Sequence, residues 1–130
     1  MFSINELEYA VKILIVDDST AMRMIVRKTL RQAGFEGHEF SETDDGMKAL
    51  TAIKGSRPDL VLSDWNMPNM TGIELLENLN KEGIKVKFGF ITTEATPDMR
   101  TRAATAGASF LISKPFTPES FKTALGAHIK

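Results

Sequence analysis

The stretch from Leu60 to Met70, LVLSDWNMPNM, constrains the fold more tightly than any other. Leu60, Val61, Leu62 and Ser63 run into one acid, Asp64, and the run breaks at Asn66, Met67 and Pro68. A short apolar run bounded by turn signals reads as a fully buried parallel strand. Pro68 cannot continue a central strand and restrains the residue before it, so the chain turns there. Asp64 is thereby set at the carboxyl end of a buried strand, on the rim where open α/β sheets bind ligands. A lone acid at such a point also serves as a helix cap. The company it keeps at the rim decides between the two roles.

The remaining chain repeats this unit. Lys12–Val16 is a β-branched apolar run that ends at Asp17 and Asp18. Ser19 then caps a helix with apolar Met22, Ile25, Val26 and Leu30, a basic side of Arg23, Arg27, Lys28 and Arg31, and a stop at Gly34. His38–Thr43 alternates weakly, as an edge strand does, and a helix through Gly46–Lys54 shows Met47, Leu50 and Ile53 on one side. After the central run, Thr71 and Glu74 form a capping box for a helix carrying Leu75, Leu76 and Leu79. Lys85–Thr92 reads as the fourth strand, and Thr96–Pro97 starts a helix that Gly107 ends. Ser109–Ser113 is the fifth strand, and Thr117–Pro118 begins a last helix with Phe121, Leu125 and Ile129. Residues 1–11 form a polar lead, an extension ahead of a single domain over 12–130.

Five strands alternating with five helices predict an α/β fold, a doubly wound five-stranded parallel sheet. Order 2-1-3-4-5 suits a weak second strand at the edge and the apolar first, third and fourth strands inside. The Lys114–Pro115 peptide is expected to be cis, because the chain turns at once into the Thr117-capped helix while Lys114 points back at the rim.

A formal net charge of −1 argues against a general nucleic-acid or membrane-surface binder, and the apolar stretches fall short of a membrane span. The absence of cysteine removes disulfide and thiol chemistry. Residues 1–10 lack the pattern of a secretory signal, so the cytoplasm is the expected compartment.

The strand ends carry the chemistry. Asp17 and Asp18 follow the first strand, Asp64 the third, Thr92 and Thr93 end the fourth, and Lys114 follows the fifth. Three carboxylates on one rim repel one another by several kcal/mol per close pair at an effective dielectric of about 20. Lys114 and a hard divalent ion are the two candidates to offset that. Oxygen donors without histidine or thiol suit Mg²⁺, which binds through one or two carboxylates plus a phosphate oxygen. A carboxylate beside such an ion and a lysine is a plausible nucleophile towards phosphorus, and phosphoryl transfer needs mainly positioning and charge neutralisation. Thr92 is placed to donate a hydroxyl hydrogen bond to the product.

With these residues assembled, the chain resembles the response-regulator receiver domains over essentially all of Lys12–Ile129. The likeness rests on the acidic pair in ILIVDDS, the acid in LSDWNMPNMTG, the hydroxyl in ITTEA and the lysine in ISKPFTP. The single-domain chemotaxis branch matches best in DWNMPNM and KPFTP. The resemblance implies that Asp64 accepts a phosphoryl group from a phosphohistidine on a sensor histidine kinase. It implies Mg²⁺ held by Asp18, Asp64 and the backbone carbonyl of Asn66, with Asp17 acting through a bound water. Lys114 would pair with phosphoryl oxygens, Thr92 would carry the switch, and Asn66 and Glu94 would tune hydrolysis of the acyl phosphate. The implied partners are that kinase, a downstream target such as a flagellar motor switch, and a phosphatase.

Leu111 departs from that branch, which has an aromatic, usually Tyr, three residues before the lysine. Phe110 does not replace it, because adjacent strand residues face opposite sides. Two other classes use parts of the pattern. A flavodoxin-like FMN-binding electron carrier shares the fold but needs a hydroxyl- and glycine-rich loop where this chain has DDST. An aspartyl phosphatase usually spaces its nucleophile and acid two residues apart on the first strand, and adds a capping insertion.

Overall fold

The computed structural model describes residues 11–129, so expectations about residues 1–10 lie outside them. Five strands are present: β1 Lys12–Val16, β2 Glu39–Thr43, β3 Leu60–Ser63, β4 Lys87–Thr92 and β5 Phe110–Ser113. Five helices alternate with them: α1 Thr20–Gln32, α2 Gly46–Gly55, α3 Gly72–Lys81, α4 Pro97–Thr105 and α5 Pro118–Leu125. All strand pairs are parallel and the order is β2-β1-β3-β4-β5, as the sequence predicts. The weakly alternating β2 lies at the edge, and β3, buried at every position, lies at the centre.

Alternation along the strands divides the core in two. Leu14, Val16, Val61, Phe88 and Phe90 face a layer built by α2, α3 and α4. Ile13, Ile15, Leu60, Leu62, Ile91 and Ile112 face α1 and α5. Every expected N-cap is formed: Ser19, Thr71, Thr96 and Thr117 each accept a backbone N–H through the side-chain oxygen, and Glu74 closes the box at Thr71. Gly34 and Gly107 take positive φ just past α1 and α4, where a side chain would be strained. The Lys114–Pro115 peptide is cis.

Several local expectations are corrected. The fourth strand begins at Lys87, with Val86 packed beside it, and the fifth begins at Phe110. The last helix stops at Leu125, because Gly126 favours helix poorly; Ile129 still returns to the core through a turn on the Leu125 carbonyl. Met47 is 52% exposed, since α2 buries Gly46, Ala49 and Ile53. Gly46 sets that face: a Cβ there would stand 2.6 Å from the Met70 carbonyl oxygen, so the smallest residues lie against the core. Ile25 is likewise 48% exposed, because α1 turns Val26, Thr29 and Leu30 inward.

Two truncations on one helix test this assignment. Ile53→Ala should lower the unfolding free energy by about 2–5 kcal/mol, and Met47→Ala should change it by less than about 0.5 kcal/mol. Urea unfolding of both variants checks the contrast; equal losses would contradict the placement of α2.

Candidate functional site

Register creates the site. Val16 pairs with Ser63, so the next residues, Asp17 and Asp64, emerge side by side at the carboxyl end of the sheet. The Asp64 N–H donates to the Val16 carbonyl at 2.9 Å and locks that juxtaposition. On the other side Thr92 pairs with Ser113, and the Lys114 N–H donates to the Thr92 carbonyl at 2.7 Å. Lys114 thus leaves the sheet at the same rim as the two acids.

Its ammonium lies between them, 3.5 Å from Asp17 Oδ2 and 3.6 Å from Asp64 Oδ1. Asp17 is buried, Asp64 partly so, and Asp18 is exposed. The structure brings together all three expected carboxylates: one oxygen of each lies within 4.8 Å of the others. Asp17 Oδ1 accepts the Ser19 N–H at 2.9 Å, and Asp64 Oδ1 accepts the Trp65 N–H at 2.8 Å. Burial pushes the Asp64 carboxyl above its usual range; the Lys114 ammonium opposes this, while Asp17 and Asp18 reinforce it.

Thr92, the last residue of β4, is fully buried, and its hydroxyl oxygen accepts the Glu94 N–H at 3.2 Å. Asn66 and Glu94 are exposed and joined directly, Asn66 Nδ2 donating to Glu94 Oε1 at 2.8 Å across the mouth of the site. Leu111 is set away from the acids, half-buried on β5 opposite Phe90, against the α2–α3–α4 layer. Phe110 points to the opposite layer, with its ring over Gly89.

Two residues that shape the rim carry no obvious signal in the sequence. Gly72 returns the chain beneath Asp64: its N–H donates to the Trp65 carbonyl at 2.8 Å, and a Cβ there would lie 2.2 Å from the Asp64 carbonyl oxygen. A glycine at the first helical position after a good cap, where alanine would favour helix more, is the only hint. Arg23 reads as part of a solvated basic stripe, yet its guanidinium donates to the Asp17 carbonyl at 2.6 Å.

The family model for the response regulator receiver domain matches residues 13–126. The chain belongs to the response-regulator receiver family. It is 44% identical over 116 residues to the chemotaxis protein CheY-3 of Vibrio cholerae, covering 88% of each chain. It is 42% identical over 113 residues to the chemotaxis protein CheY of Pseudomonas aeruginosa, covering 85% of this chain and 90% of that one. The solved structure of Vibrio cholerae CheY4 superposes with a TM-score of 0.80 at 33% identity, covering 92% of this chain and 99% of that one. The protein is therefore a CheY-like receiver domain of two-component signalling.

The raised Asp64 value has a definite consequence for stability. A carboxyl whose folded-state pKa exceeds its ordinary 3.8 takes up a proton on folding between those two values. Its charge therefore destabilises the fold increasingly as pH rises through that window, and fully above it. Without divalent cations, Asp64→Asn should raise the urea midpoint at neutral pH, and the gain should shrink as pH falls towards 3.8. A variant less stable than the parent at neutral pH would contradict the assignment.

Proposed function

We propose that this receiver is a phosphorylation-driven switch whose acceptor is Asp64, with a sensor histidine kinase as donor. The observation that carries the proposal is the Asp64 carboxylate at the strand end, partly buried, with the Lys114 ammonium 3.6 Å away and Thr92 buried at the end of the neighbouring strand. An Asp64 carboxylate oxygen attacks phosphorus, an O–P bond forms, and the N–P bond to the donor imidazole breaks. The imidazole nitrogen leaves and is protonated from solvent. Lys114, 3.6 Å from the Asp64 carboxylate, is assigned to neutralise charge on the transferred group. The Thr92 hydroxyl, turned towards Glu94 N–H at rest, is released to donate to a phosphoryl oxygen.

The donor set suits Mg²⁺: three carboxylates within reach of one another, all hard oxygen ligands. Asp18 and Asp64, with the backbone carbonyl of Asn66, are the residues we assign to hold it, with Asp17 acting through a bound water. When bound, Mg²⁺ offsets charge on the phosphoryl oxygens. The same acidic rim would repel a flavin phosphate, which disfavours the FMN-carrier alternative. We assign no separate catalytic turnover beyond slow self-phosphorylation from small donors and hydrolysis of the acyl phosphate. Asn66 and Glu94, hydrogen-bonded over the mouth, are assigned to control water access to that bond.

The relatives are chemotaxis proteins, and we propose the same setting here: a downstream target in flagellar control, a phosphatase that resets the switch, and a cytoplasmic location. None of the described helices is long and apolar enough to cross a membrane. Leu111 alters the output. It lacks the ring and phenolic hydrogen bond of tyrosine, so activation is read through Thr92 and the 93–97 loop.

Acetyl phosphate with Mg²⁺ should label the parent chain, and Asp64→Ala should abolish the label; labelling that survives would move the nucleophile elsewhere. For the output, affinity for a motor-switch peptide should respond weakly to beryllofluoride, and Leu111→Tyr should strengthen that response. A strong response in the parent that Leu111→Tyr leaves unchanged would remove position 111 from the switch.

A further inference from the structure

We infer that Arg23 is a positioning residue for the acidic rim: its guanidinium fixes the peptide between Asp17 and Asp18, and through it the affinity of the site for a divalent cation. This rests on the Mg²⁺ assignment made above, and it goes further by naming what holds the ligands in place.

Arg23 is misplaced by the logic of its own helix. It sits near the amino terminus of α1, where the helix dipole disfavours a cation, and no acid occupies that first turn. Its side chain is nevertheless only 14% exposed. Tertiary partners explain the position. Nε donates to Glu42 Oε1 at 2.8 Å, one terminal nitrogen donates to the Asp17 carbonyl at 2.6 Å, and the other donates to Thr20 Oγ1 at 3.2 Å. Glu42 is oriented in turn by Arg27, whose Nη1 donates to Oε2 at 2.9 Å. A chain of contacts therefore runs from α1 through β2 to the end of β1.

The Asp17 carbonyl is the point where that chain acts. β1 ends at Val16, and the Val16 carbonyl already accepts the Asp64 N–H. One residue later Arg23 takes the place of a strand neighbour. The Asp17 N–H donates to the Thr43 carbonyl at 3.2 Å, so both polar groups of the Asp17 backbone are held. With the peptide plane fixed, the Cα from which the Asp18 side chain leaves is fixed as well. Residues that orient metal ligands from behind commonly change metal affinity by about 10–100-fold when altered.

Charge and geometry pull in opposite directions here, which makes the role separable. A guanidinium near the acids repels an incoming cation, so loss of its charge alone would tighten Mg²⁺ binding. Loss of its fork would loosen binding. Arg23→Lys keeps the charge and removes the planar fork. Glu42→Gln keeps Arg23 and weakens its anchor.

Mg²⁺ titrations of the parent, Arg23→Lys and Glu42→Gln, read by calorimetry and by Trp65 fluorescence, test the inference, with melting midpoints recorded without Mg²⁺. The expected result is a Kd raised about tenfold in Arg23→Lys, and raised less in Glu42→Gln. A residue that merely stabilises the fold would shift the melting midpoint and leave Kd unchanged, and that result would overturn the assignment. Should Arg23→Lys fail to fold, Glu42→Gln decides alone by the same criterion. A parent chain that binds no Mg²⁺ by either readout would instead sink the metal assignment itself, and this inference with it.

Discussion

Everything at the rim depends on the parallel pairing of β1 with β3. Val16 opposite Ser63 delivers two carboxylates to adjacent strand ends, and Asp18 follows at the next residue. Like charges at that spacing oppose folding, and burial of Asp64 adds to the opposition. The sheet tolerates them because its centre is strongly apolar: all four residues of β3 are buried, and Phe88, Phe90, Leu75 and Leu79 close over it. Lys114, carried in from β5, offsets part of the repulsion, reaching past β4 to Asp64 and past β4 and β3 to Asp17. The acidic cluster is thus an outcome of register, with the core supplying the stability that the acids remove.

That arrangement also orders the site by depth. Thr92 and Asp17 are buried, Asp64 is partly open, and Asp18, Asn66 and Glu94 lie at the surface. Exposure therefore rises in steps from the strand ends to the residues that follow them. Trp65 belongs to both site and core: its backbone N–H binds the Asp64 carboxylate, while its ring packs 4.8 Å from that of Phe90.

Much of this was legible in the sequence because it is written in local signals. Apolar runs ending at Asp17, Asp64, Thr92 and Lys114 mark the rim, and cap residues followed by proline or glutamate mark the helix starts. Features that depend on distant neighbours were less so. Apolar periodicity favoured Met47, and Ile25 beside Val26, yet the packed face of α2 was chosen by Gly46 and Ala49 and that of α1 kept Val26 and left Ile25 out, because close approach between elements rewards small or well-fitted side chains. Arg23 resembled its solvated neighbours, since nothing local says that one of several arginines meets a strand-end carbonyl. The starts of β4 and β5 slipped by one or two residues, as pairing with a neighbour decides where a strand begins.

Gly72 has a consequence for how such a protein can diversify. The segment between Asp64 and α3 is closed at its base, where Gly72 meets the Asp64 backbone and binds the Trp65 carbonyl. At its apex Pro68 and Asn69 are exposed, and Asn69 already adopts positive φ. Lengthening a loop costs little closure entropy, about 0.6 kcal/mol for each doubling. Residues inserted at the apex would leave Asp64 where it is, whereas one methyl group at position 72 would press directly on its backbone. The loop can therefore change length at its tip without moving Asp64, while its root is held by the absence of a side chain.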